Sequence, residues 1–216
     1  NHYIDVEDKI PVFLCSIGTH IFNGLNKCGT CPFVPTGEEG VFAIDSCILR
    51  HDKAPLYTPM GHIADTRLHI LMRGMKGSGK SVLIHLFLAP RTGLLSNPLN
   101  ADIGMAFRTD IGPNSITEAG MFGSVNEEGE IMGRPLAREM CGGFLGFEEF
   151  SSLVDAAKKD HSTDMTNQML TSTDNGRVNK AMRAGWVEYT TRYTLWAGTQ
   201  PGRFEMESGM DRRFFI

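Results

Sequence analysis

The stretch Gly74-Met-Lys-Gly-Ser-Gly-Lys80-Ser81 decides the fold prediction, because it matches the pattern G-x-x-x-x-G-K-[ST] at every fixed position. A mostly apolar run at 67–72 precedes it and another at 82–87 follows it, so we predict a strand, a glycine-rich loop and a helix. Glycines let the backbone curl so that successive N–H groups point inward around phosphate oxygens, and the dipole of the following helix adds to the anion site. The sequence therefore predicts an α/β fold in which this unit opens a parallel sheet and its loop binds phosphate.

The loop residues form the predicted nucleotide site. Lys80 is expected to reach the β- and γ-phosphates of ATP, and the hydroxyl of Ser81 is the expected protein ligand of Mg²⁺. The full set of predicted nucleotide-binding residues is Gly74, Met75, Lys76, Gly77, Ser78, Gly79, Lys80 and Ser81. ATP and Mg²⁺ are therefore the expected ligands of this loop.

Two adjacent carboxylates follow a second predicted strand, the apolar run at 143–147. Nucleotide hydrolysis needs one carboxylate to hold the magnesium shell and another to orient water, and both belong at the C-terminal end of a neighbouring strand. We predict that Glu148 serves the metal and that Glu149 polarises the water. The alternative is a pair of solvated carboxylates at the end of a strand.

The second half of the chain continues the alternation of helices and strands. We predict helices over 151–159 and 163–172, a hairpin with strands Val178–Met182 and Trp186–Thr190, and a strand over 194–198. The turn of the hairpin is Arg183-Ala-Gly185. Thr199 and Gln200 follow the last strand, so we expect them between the ends of two central strands, where the amide of Gln200 can hydrogen-bond a water.

In their order along the chain, these motifs resemble the AAA+ core of the minichromosome-maintenance (MCM) replicative DNA helicases, over residues 67–216. The loop Gly74–Ser81 resembles the Walker A region of that family. Cys141-Gly-Gly143 followed by Phe147-Glu-Glu-Phe150 resembles its Walker B strand, and Met182–Gly185 lies where the family has the tip of its pre-sensor hairpin.

Other segments extend the resemblance. Ser115–Val125 is similar to a serine-rich segment of the family, and Asn126–Pro135 lies where the family carries its helix-2 insert. Leu195–Phe204 resembles its sensor 1 region and Asp211–Phe214 its arginine finger. The resemblance implies a P-loop NTPase with a three-layer αβα core, a parallel central sheet, a pre-sensor β-hairpin and a helix-2 insert. The C-terminal lid of the family is missing after Ile216, so we expect either a fragment or a chain without a lid.

The chain departs from the family's usual residues at four positions. Gly79 stands before Lys80 where the family usually has Ala, and Glu148 stands where Asp is usual. Gln200 replaces the sensor Asn, and Arg183 replaces the Lys of the hairpin tip. These departures indicate a divergent relative, for example one encoded by a virus or a mobile element.

The resemblance also implies a function. The chain is expected to be an ATP-hydrolysing ring motor, a homo- or hetero-hexamer that moves single- or double-stranded DNA through a central channel. Arg213 would be the arginine finger for the neighbouring subunit's ATP, with Arg212 as the competing candidate. Arg183 and Lys180 would contact the sugar-phosphate backbone without reading bases. The predicted catalytic residues are Glu149, Glu148, Gln200 and Arg213.

Two other functions stay open. AAA+ remodellers of proteins and chelatase-type motors share the insert and the hairpin, and Trp186 and Tyr189, which flank the tip, suit an apolar polypeptide. A nucleotide-binding scaffold that assembles without turnover is the third possibility, since Glu148, Gln200 and the missing lid all depart from an active motor.

Composition narrows the class of protein further. The chain has 216 residues with 21 basic and 25 acidic side chains, a net charge of −4, which excludes a uniformly basic nucleic-acid coat. It contains no run of 18 apolar residues and no signal-peptide pattern, so no membrane association is expected. Five cysteines, an odd number, favour a reducing intracellular compartment, the cytoplasm or the nucleus.

Residues 1–66 are predicted to be a leader or the end of an N-terminal domain, separate from the ATPase core at 67–216. Short apolar runs predict strands at Val12–Leu14 and Val41–Ile44, with a loop over Gly24–Gly40 between them. The cysteines and histidines of this region allow two interpretations. Cys28, Cys31, Cys47 and His51 have nearly the spacing of a tetrahedral zinc site.

We favour buried thiols over zinc, with Cys15 and Cys141 as buried lone cysteines of the same kind. For five further histidines the sequence reveals no partner, and no functional role is expected of them: His20, His62, His69, His85 and His161.

Overall fold

The computed structural model describes residues 6–28, 67–96, 109–113, 115–151, 163–174, 176–201 and 214–215. In chain order, the elements in these ranges are α1 (Val6–Cys28), β1 (His69–Arg73), α2 (Lys80–Leu88), β2 (Thr109–Ile111), α3 (Glu118–Phe122), β3 (Ser124–Val125), β4 (Ile131–Met132), α4 (Leu136–Glu139), β5 (Phe144–Phe147), α5 (Thr163–Asp174), β6 (Arg177–Met182), β7 (Gly185–Thr190), β8 (Thr194–Thr199) and β9 (Phe214–Phe215).

A parallel sheet of five strands, in the order β2–β5–β8–β1–β9, forms the centre of the fold. Strand β8 lies in the middle, where Trp196 pairs with Gly146 of β5 on one side and with Ile70 of β1 on the other. All pairs in this sheet are parallel. The carboxyl ends of β1, β5 and β8 therefore meet at one edge, which is where open α/β sheets bind ligands.

Each face of the sheet is covered by its own hydrophobic cluster. On one face, the inward residues of the central strands pack with α1 and α2 in a cluster that includes Phe13, Ile84, Phe87 and Trp196. Successive strand residues point to opposite faces of the sheet. Leu195 of β8, Leu71 of β1 and Leu145 of β5 therefore lie in the second cluster. That cluster also contains residues of α3, α4, α5 and the β6–β7 hairpin. The result is an α/β fold with a buried parallel sheet, as predicted.

Two antiparallel hairpins project from the second face. Strands β6 and β7 pair from Arg177↔Thr190 to Met182↔Gly185, which leaves Arg183 and Ala184 as the tip. Strands β3 and β4 form a shorter hairpin around the turn at 126–130. The side chain of Asn126 fixes this turn, because its Oδ1 accepts hydrogen bonds from the amides of Glu128 and Glu130.

Most elements predicted after residue 66 are confirmed, with boundaries that differ by one or two residues. The strands at 67–72, 143–147 and 194–198 are β1, β5 and β8, and the hairpin is β6–β7. The helix at 163–172 is α5, and the helix after the glycine-rich loop is α2. Of the helix predicted over 151–159, only Ser151 lies among the described residues.

The predicted strand at Val12–Leu14 is wrong, because these residues lie inside α1. The helix buries Phe13, Ser16 and His20, which recur at the spacing of one helical face. Two of these three residues are polar, so the sequence lacks the regular spacing of apolar residues that would indicate a helix. The helix also continues through Gly24 to Cys28, so the first part of the predicted loop is wrong as well.

Helix α1 packs directly on the sheet, although it precedes the domain boundary predicted at residue 66. The ring of Phe13 stacks on Phe87 at a centroid distance of 5.2 Å and meets Trp196 edge-on at 4.8 Å. The hydroxyl of Ser16 accepts a hydrogen bond from the indole N–H of Trp196 at 2.8 Å. Cys15, expected to be buried, is exposed on the opposite side of this helix, whereas Cys141 is buried as predicted. The strand predicted at Val41–Ile44 lies outside the described residues.

None of the helices in the described ranges is both long and apolar enough to cross a membrane.

Candidate functional site

The loop Gly74–Ser81, called the glycine loop below, leaves the sheet at the carboxyl end of β1. The amide of Gly74 donates a hydrogen bond of 3.1 Å to the carbonyl of Thr199, which ties the start of the loop to β8. Gly77 and Gly79 have φ angles of 80° and 89°, in the left-handed region that favours glycine. Helix α2 then starts at Lys80. The predicted strand, loop and helix are therefore all present.

Lys80 lies inside the curve of the glycine loop. Its ammonium donates hydrogen bonds to the carbonyl oxygens of Gly74, at 2.7 Å, and Met75, at 3.0 Å, and it is 3.4 Å from the hydroxyl of Ser78. The side chain is 8% exposed. Within the described part of the chain, the amides of Gly77 and Gly79 donate to no protein acceptor. A buried cation in a loop with two free amides has the kind of donors that bind an anion.

The carboxyl end of β5 comes close to Lys80 because the residue that lies between them, Gly198, has no side chain. A Cβ atom at Gly198 would lie 2.6 Å from the carbonyl oxygen of Glu148 and 3.6 Å from Cβ of Lys80. Only glycine fits between these two segments, so β8 holds the glycine loop and the carboxylate pair side by side. The two motifs that the sequence places 68 residues apart thus belong to one site.

The carboxylate of Glu149 is held on both of its oxygens. Its Oε2 accepts a hydrogen bond of 3.0 Å from the side-chain amide of Gln200, at the end of β8. Its Oε1 accepts a hydrogen bond from the hydroxyl of Ser151. The predicted water-polarising carboxylate and the predicted sensor amide are therefore brought together, and Ser151 joins them.

Glu148 has a different partner, His85, which lies one turn further along α2 than Lys80 and Ser81. The ring nitrogen Nε2 of His85 is 2.8 Å from Oε1 of Glu148. Both side chains are partly exposed, at 47% for the histidine and 33% for the glutamate. The sequence predicts no functional role for His85. Its partner is 63 residues away in the sequence, so no local pattern could have revealed this pair.

Thr199 contributes a buried hydroxyl beside these groups. Its side chain is fully buried at the end of β8, and within the described part of the chain its Oγ1 has no hydrogen-bond partner. Burying a hydroxyl without a partner costs about 1–3 kcal/mol. An unsatisfied hydroxyl next to Gln200 is a further polar group at this edge of the sheet.

Comparison with known proteins identifies no family for this chain. No protein-family model matches the chain, and no curated protein matches it. Among solved structures, the chain is similar to the crystal structure of NtrX from Brucella abortus. The two are 18% identical with a TM-score of 0.41, over 68% of this chain and 29% of that one. The chain therefore spans less than a third of the length of NtrX.

The β6–β7 hairpin presents Arg183 to solvent at its tip. Lys180, predicted with Arg183 to contact DNA, forms an ion pair with Glu118, with its ammonium 2.5 Å from Oε1 of the glutamate. Both side chains of the pair are mostly buried, at 11% and 15% exposed. Trp186, next to the tip, is 64% exposed. Arg183 and Trp186 are therefore the large exposed side chains at the tip of this hairpin.

The turn of the β3–β4 hairpin lies against the same tip. A Cβ atom at Gly185 would be 3.3 Å from Cα of Gly129, and one at Gly129 would be 3.7 Å from the carbonyl of Ala184. The turn carries three exposed carboxylates: Glu127, Glu128 and Glu130. The surface made by the two tips, called the tip surface below, thus combines one arginine and one tryptophan with an acidic turn.

Several predicted site residues lie outside the described residues. These are Arg213, Arg212 and three members of the possible zinc site: Cys31, Cys47 and His51. Cys28 ends α1, and its side chain is also outside the described set. Among the described residues, no group of three or more His, Cys, Asp or Glu side chains could hold a metal ion. Mg²⁺ needs no such group, because it keeps several waters and takes one or two protein oxygens plus substrate phosphates.

Proposed function

We propose that the chain binds ATP with Mg²⁺ at the glycine loop and hydrolyses it, as a ring-forming AAA+ motor similar to the MCM helicases that acts on DNA. The observation that carries the proposal is the contact between Glu149 and Gln200, at 3.0 Å, next to the site of the buried Lys80. A cation, a carboxylate and an amide on three neighbouring segments are the groups that phosphoryl transfer to water requires.

The glycine loop would bind the phosphates. Lys80 exchanges its bonds with the carbonyls of Gly74 and Met75 for the β- and γ-phosphate oxygens, and the free amides of Gly77 and Gly79 add donors. Lys80 needs no large movement, since it already lies inside the loop. Charge-assisted hydrogen bonds of this kind are about twice as strong as neutral ones.

Oxygen donors are available for Mg²⁺ at the hydroxyl of Ser81 and the carboxylate of Glu148, and this donor set fits the ion. Bound there, Mg²⁺ would neutralise charge that develops on the β- and γ-phosphates. Glu149 would accept a proton from the attacking water, and Gln200 would hold that carboxylate or the water in position. Ser151 orients the same carboxylate from its other oxygen.

The DNA part of the proposal depends on the β6–β7 hairpin and on a hexameric ring. Arg183 is exposed at the tip, where six copies around one axis would place six cations in a channel. Such cations bind the sugar-phosphate backbone in a salt-dependent way that tolerates any sequence. Arg213 would reach the ATP of the neighbouring subunit, and an arginine supplied in this way raises hydrolysis by about 10³–10⁵ in other systems.

The test is ATP binding and hydrolysis by the chain, with and without single-stranded DNA. We expect Lys80→Ala to abolish both, and Arg183→Ala to leave basal hydrolysis intact while it removes stimulation by DNA. Lys9→Ala is the matched control, since it removes one exposed lysine of α1 that is not part of the proposed site. Absence of nucleotide binding by the unaltered chain, or binding that survives in Lys80→Ala, would contradict the proposal.

The tip surface favours polypeptide remodelling as a second candidate function. Its three glutamates repel phosphates and would attract a basic peptide segment, and Trp186 offers an aromatic face for a lysine or arginine side chain. Removal of these negative charges separates the two candidates. Replacing Glu127, Glu128 and Glu130 together by Gln should tighten DNA binding if DNA is the partner. The same replacement should weaken stimulation of the ATPase by a lysine-rich peptide if polypeptide is the partner.

A further inference from the structure

We infer that His85 is a positioning residue that holds the carboxylate of Glu148 in the orientation in which it can serve Mg²⁺. The inference rests on the proposed function, because it assigns a role to a residue beside the proposed metal carboxylate. Its basis is the contact of 2.8 Å between Nε2 of His85 and Oε1 of Glu148. A carboxylate oxygen accepts, so Nε2 is the protonated nitrogen of the ring and donates.

The glutamate needs such a partner because its side chain is flexible. Glu148 stands directly after β5, and its carboxylate is reached through three rotatable bonds. It is about a third exposed, so packing leaves part of this freedom. The bond from His85 occupies one oxygen and fixes the plane of the carboxylate. The second oxygen then stays available at the sheet edge next to the glycine loop.

The position of His85 on α2 links this orientation to the nucleotide loop. Lys80, Ser81 and His85 all belong to the same helix, whose inner face is anchored by the buried residues Leu83, Ile84, Phe87 and Leu88. The carbonyl of Glu148 is fixed against Gly198. The histidine therefore connects two rigid segments, so the position of the carboxylate depends on the position of the start of α2.

A purely stabilising role does not account for this pair. Hydrogen bonds and ion pairs between side chains with this much exposure contribute little to stability. In contrast, hydrogen bonds to groups that ligate a metal typically change metal affinity about 10–100-fold. Replacing His85 is therefore expected to change the affinity for Mg²⁺ much more than the stability of the fold.

The experiment compares His85→Ala, His85→Asn and Leu86→Ala with the unaltered chain. Leu86 is the neighbouring residue on α2 and lies outside the proposed machinery, which makes it the matched control. Affinity of the ADP-bound chain for Mn²⁺ is measured directly by electron paramagnetic resonance, and affinity for ADP is measured in the presence of EDTA. Thermal unfolding of each variant is recorded in parallel.

We expect His85→Ala to weaken Mn²⁺ binding about 10-fold, with ADP affinity in EDTA and the melting temperature unchanged. His85→Asn keeps a donor and should recover part of the loss, and Leu86→Ala should match the unaltered chain. In the background of Glu148→Gln, the change at His85 should have no further effect on Mn²⁺ binding.

Three results would overturn the inference. These are unchanged Mn²⁺ affinity in His85→Ala, an equal loss of ADP affinity in EDTA, or a further loss of Mn²⁺ affinity when His85→Ala is added to Glu148→Gln. In each of these cases the proposed ATP site would stand. If the unaltered chain binds no ADP at all, the proposed function fails, and the role of His85 fails with it.

Discussion

The side-chain amide of Gln200 donates a hydrogen bond of 3.0 Å to Oε2 of Glu149 and thereby joins the carboxyl ends of β8 and β5. These strands are adjacent in the sheet but come from segments 50 residues apart in the sequence. In the proposed function, this contact would place an amide and a carboxylate where they can orient a water toward the γ-phosphate.

Glu149→Gln should abolish ATP hydrolysis but leave ATP binding intact, because the amide cannot accept the proton of the attacking water. The loss of a general base lowers turnover by about 10²–10⁴. Gln200→Ala should lower the turnover number less, since Ser151 still holds the carboxylate. Turnover and nucleotide affinity are measured on the same preparations. Equal turnover for Glu149→Gln and the unaltered chain would remove this carboxylate from the chemistry.

Gly146→Ala should destabilise the fold and weaken nucleotide binding together. A Cβ atom at this position in β5 would lie 2.6 Å from Cγ2 of Ile84 and 3.1 Å from Cδ1 of Leu88, so α2 has to shift away from the sheet. Overpacking of this kind costs about 1–3 kcal/mol. The free energy of unfolding in urea and the affinity for ATP report the two effects.

Gly18→Ala is the control for that change. In α1, a Cβ atom at Gly18 would meet nothing within 4 Å. Alanine in a helix interior is more favourable than glycine by about 0.5–1 kcal/mol. The variant should therefore be more stable than the unaltered chain, with the same nucleotide affinity. Destabilisation by both substitutions would show that glycine is needed for a reason other than space.

Much of the fold was predictable because apolar runs bounded by turn residues mark strands and helices reliably. The glycine loop, β5, β8 and the β6–β7 hairpin all have this pattern. Helix α1 does not, because Ser16 and His20 lie on its buried face and bond to Leu68, Thr194 and Gly142. Their burial depends on partners more than 50 residues away, which a local pattern cannot contain.

The candidate site was predictable to a similar degree. Lys80, Glu149 and Gln200 came from motifs and lie together, whereas His85 and Ser151 carry no motif of their own. Lys180 shows what the sequence leaves out, since its charge suggests DNA contact, which stays a prediction, and the fold pairs it with Glu118. Charge along a sequence does not reveal which cations are already neutralised by tertiary contacts.

Glu118→Gln should release Lys180 and strengthen DNA binding if the hairpin binds DNA. The substitution keeps the shape of the side chain but removes the negative charge of a mostly buried pair, so stability should fall by about 1–3 kcal/mol. Each added phosphate contact steepens the salt dependence of binding by about 0.7–0.9. Binding to single-stranded DNA is therefore measured over a range of salt concentrations.

Glu188→Gln provides the comparison for Glu118→Gln. It removes one negative charge from an exposed position of the same hairpin, and this charge is not the one that forms the ion pair with Lys180. If both variants change the salt dependence equally, net charge explains the effect. A change confined to Glu118→Gln assigns it to the release of Lys180.

Tyr193 should make stability depend on pH above about pH 10. Its phenol is fully buried and shares a hydrogen bond of 2.8 Å with the hydroxyl of Ser172, and burial raises its pKa to about 12. The fold disfavours the phenolate, so this contribution to stability is complete below the unfolded pKa of about 10 and is lost as pH rises towards 12.

Tyr193→Phe isolates the effect. Between about pH 8 and pH 11, the unaltered chain should lose about 1.4 kcal/mol more of its free energy of unfolding than the variant does. Burial raises the pKa of Tyr189 above its usual range, and the neighbouring Tyr193 raises it further, so the two proteins are compared in a Tyr189→Phe background. Parallel pH profiles for the two proteins would show that Tyr193 ionises as easily in the folded state as in the unfolded chain.

Strand β1 obtains both of its neighbours from late in the chain, since Ile70 pairs with Trp196 on one side and with Phe215 on the other. A ribosome releases β1 and the glycine loop well before it makes β8. In that interval the apolar side chains of β1 and α2 are without a sheet, and pairing of such distant strands is slow and prone to aggregation. We expect the nascent chain to need protection by chaperones until β8 emerges, so the glycine loop reaches its place beside β8 only after residue 199 has been made.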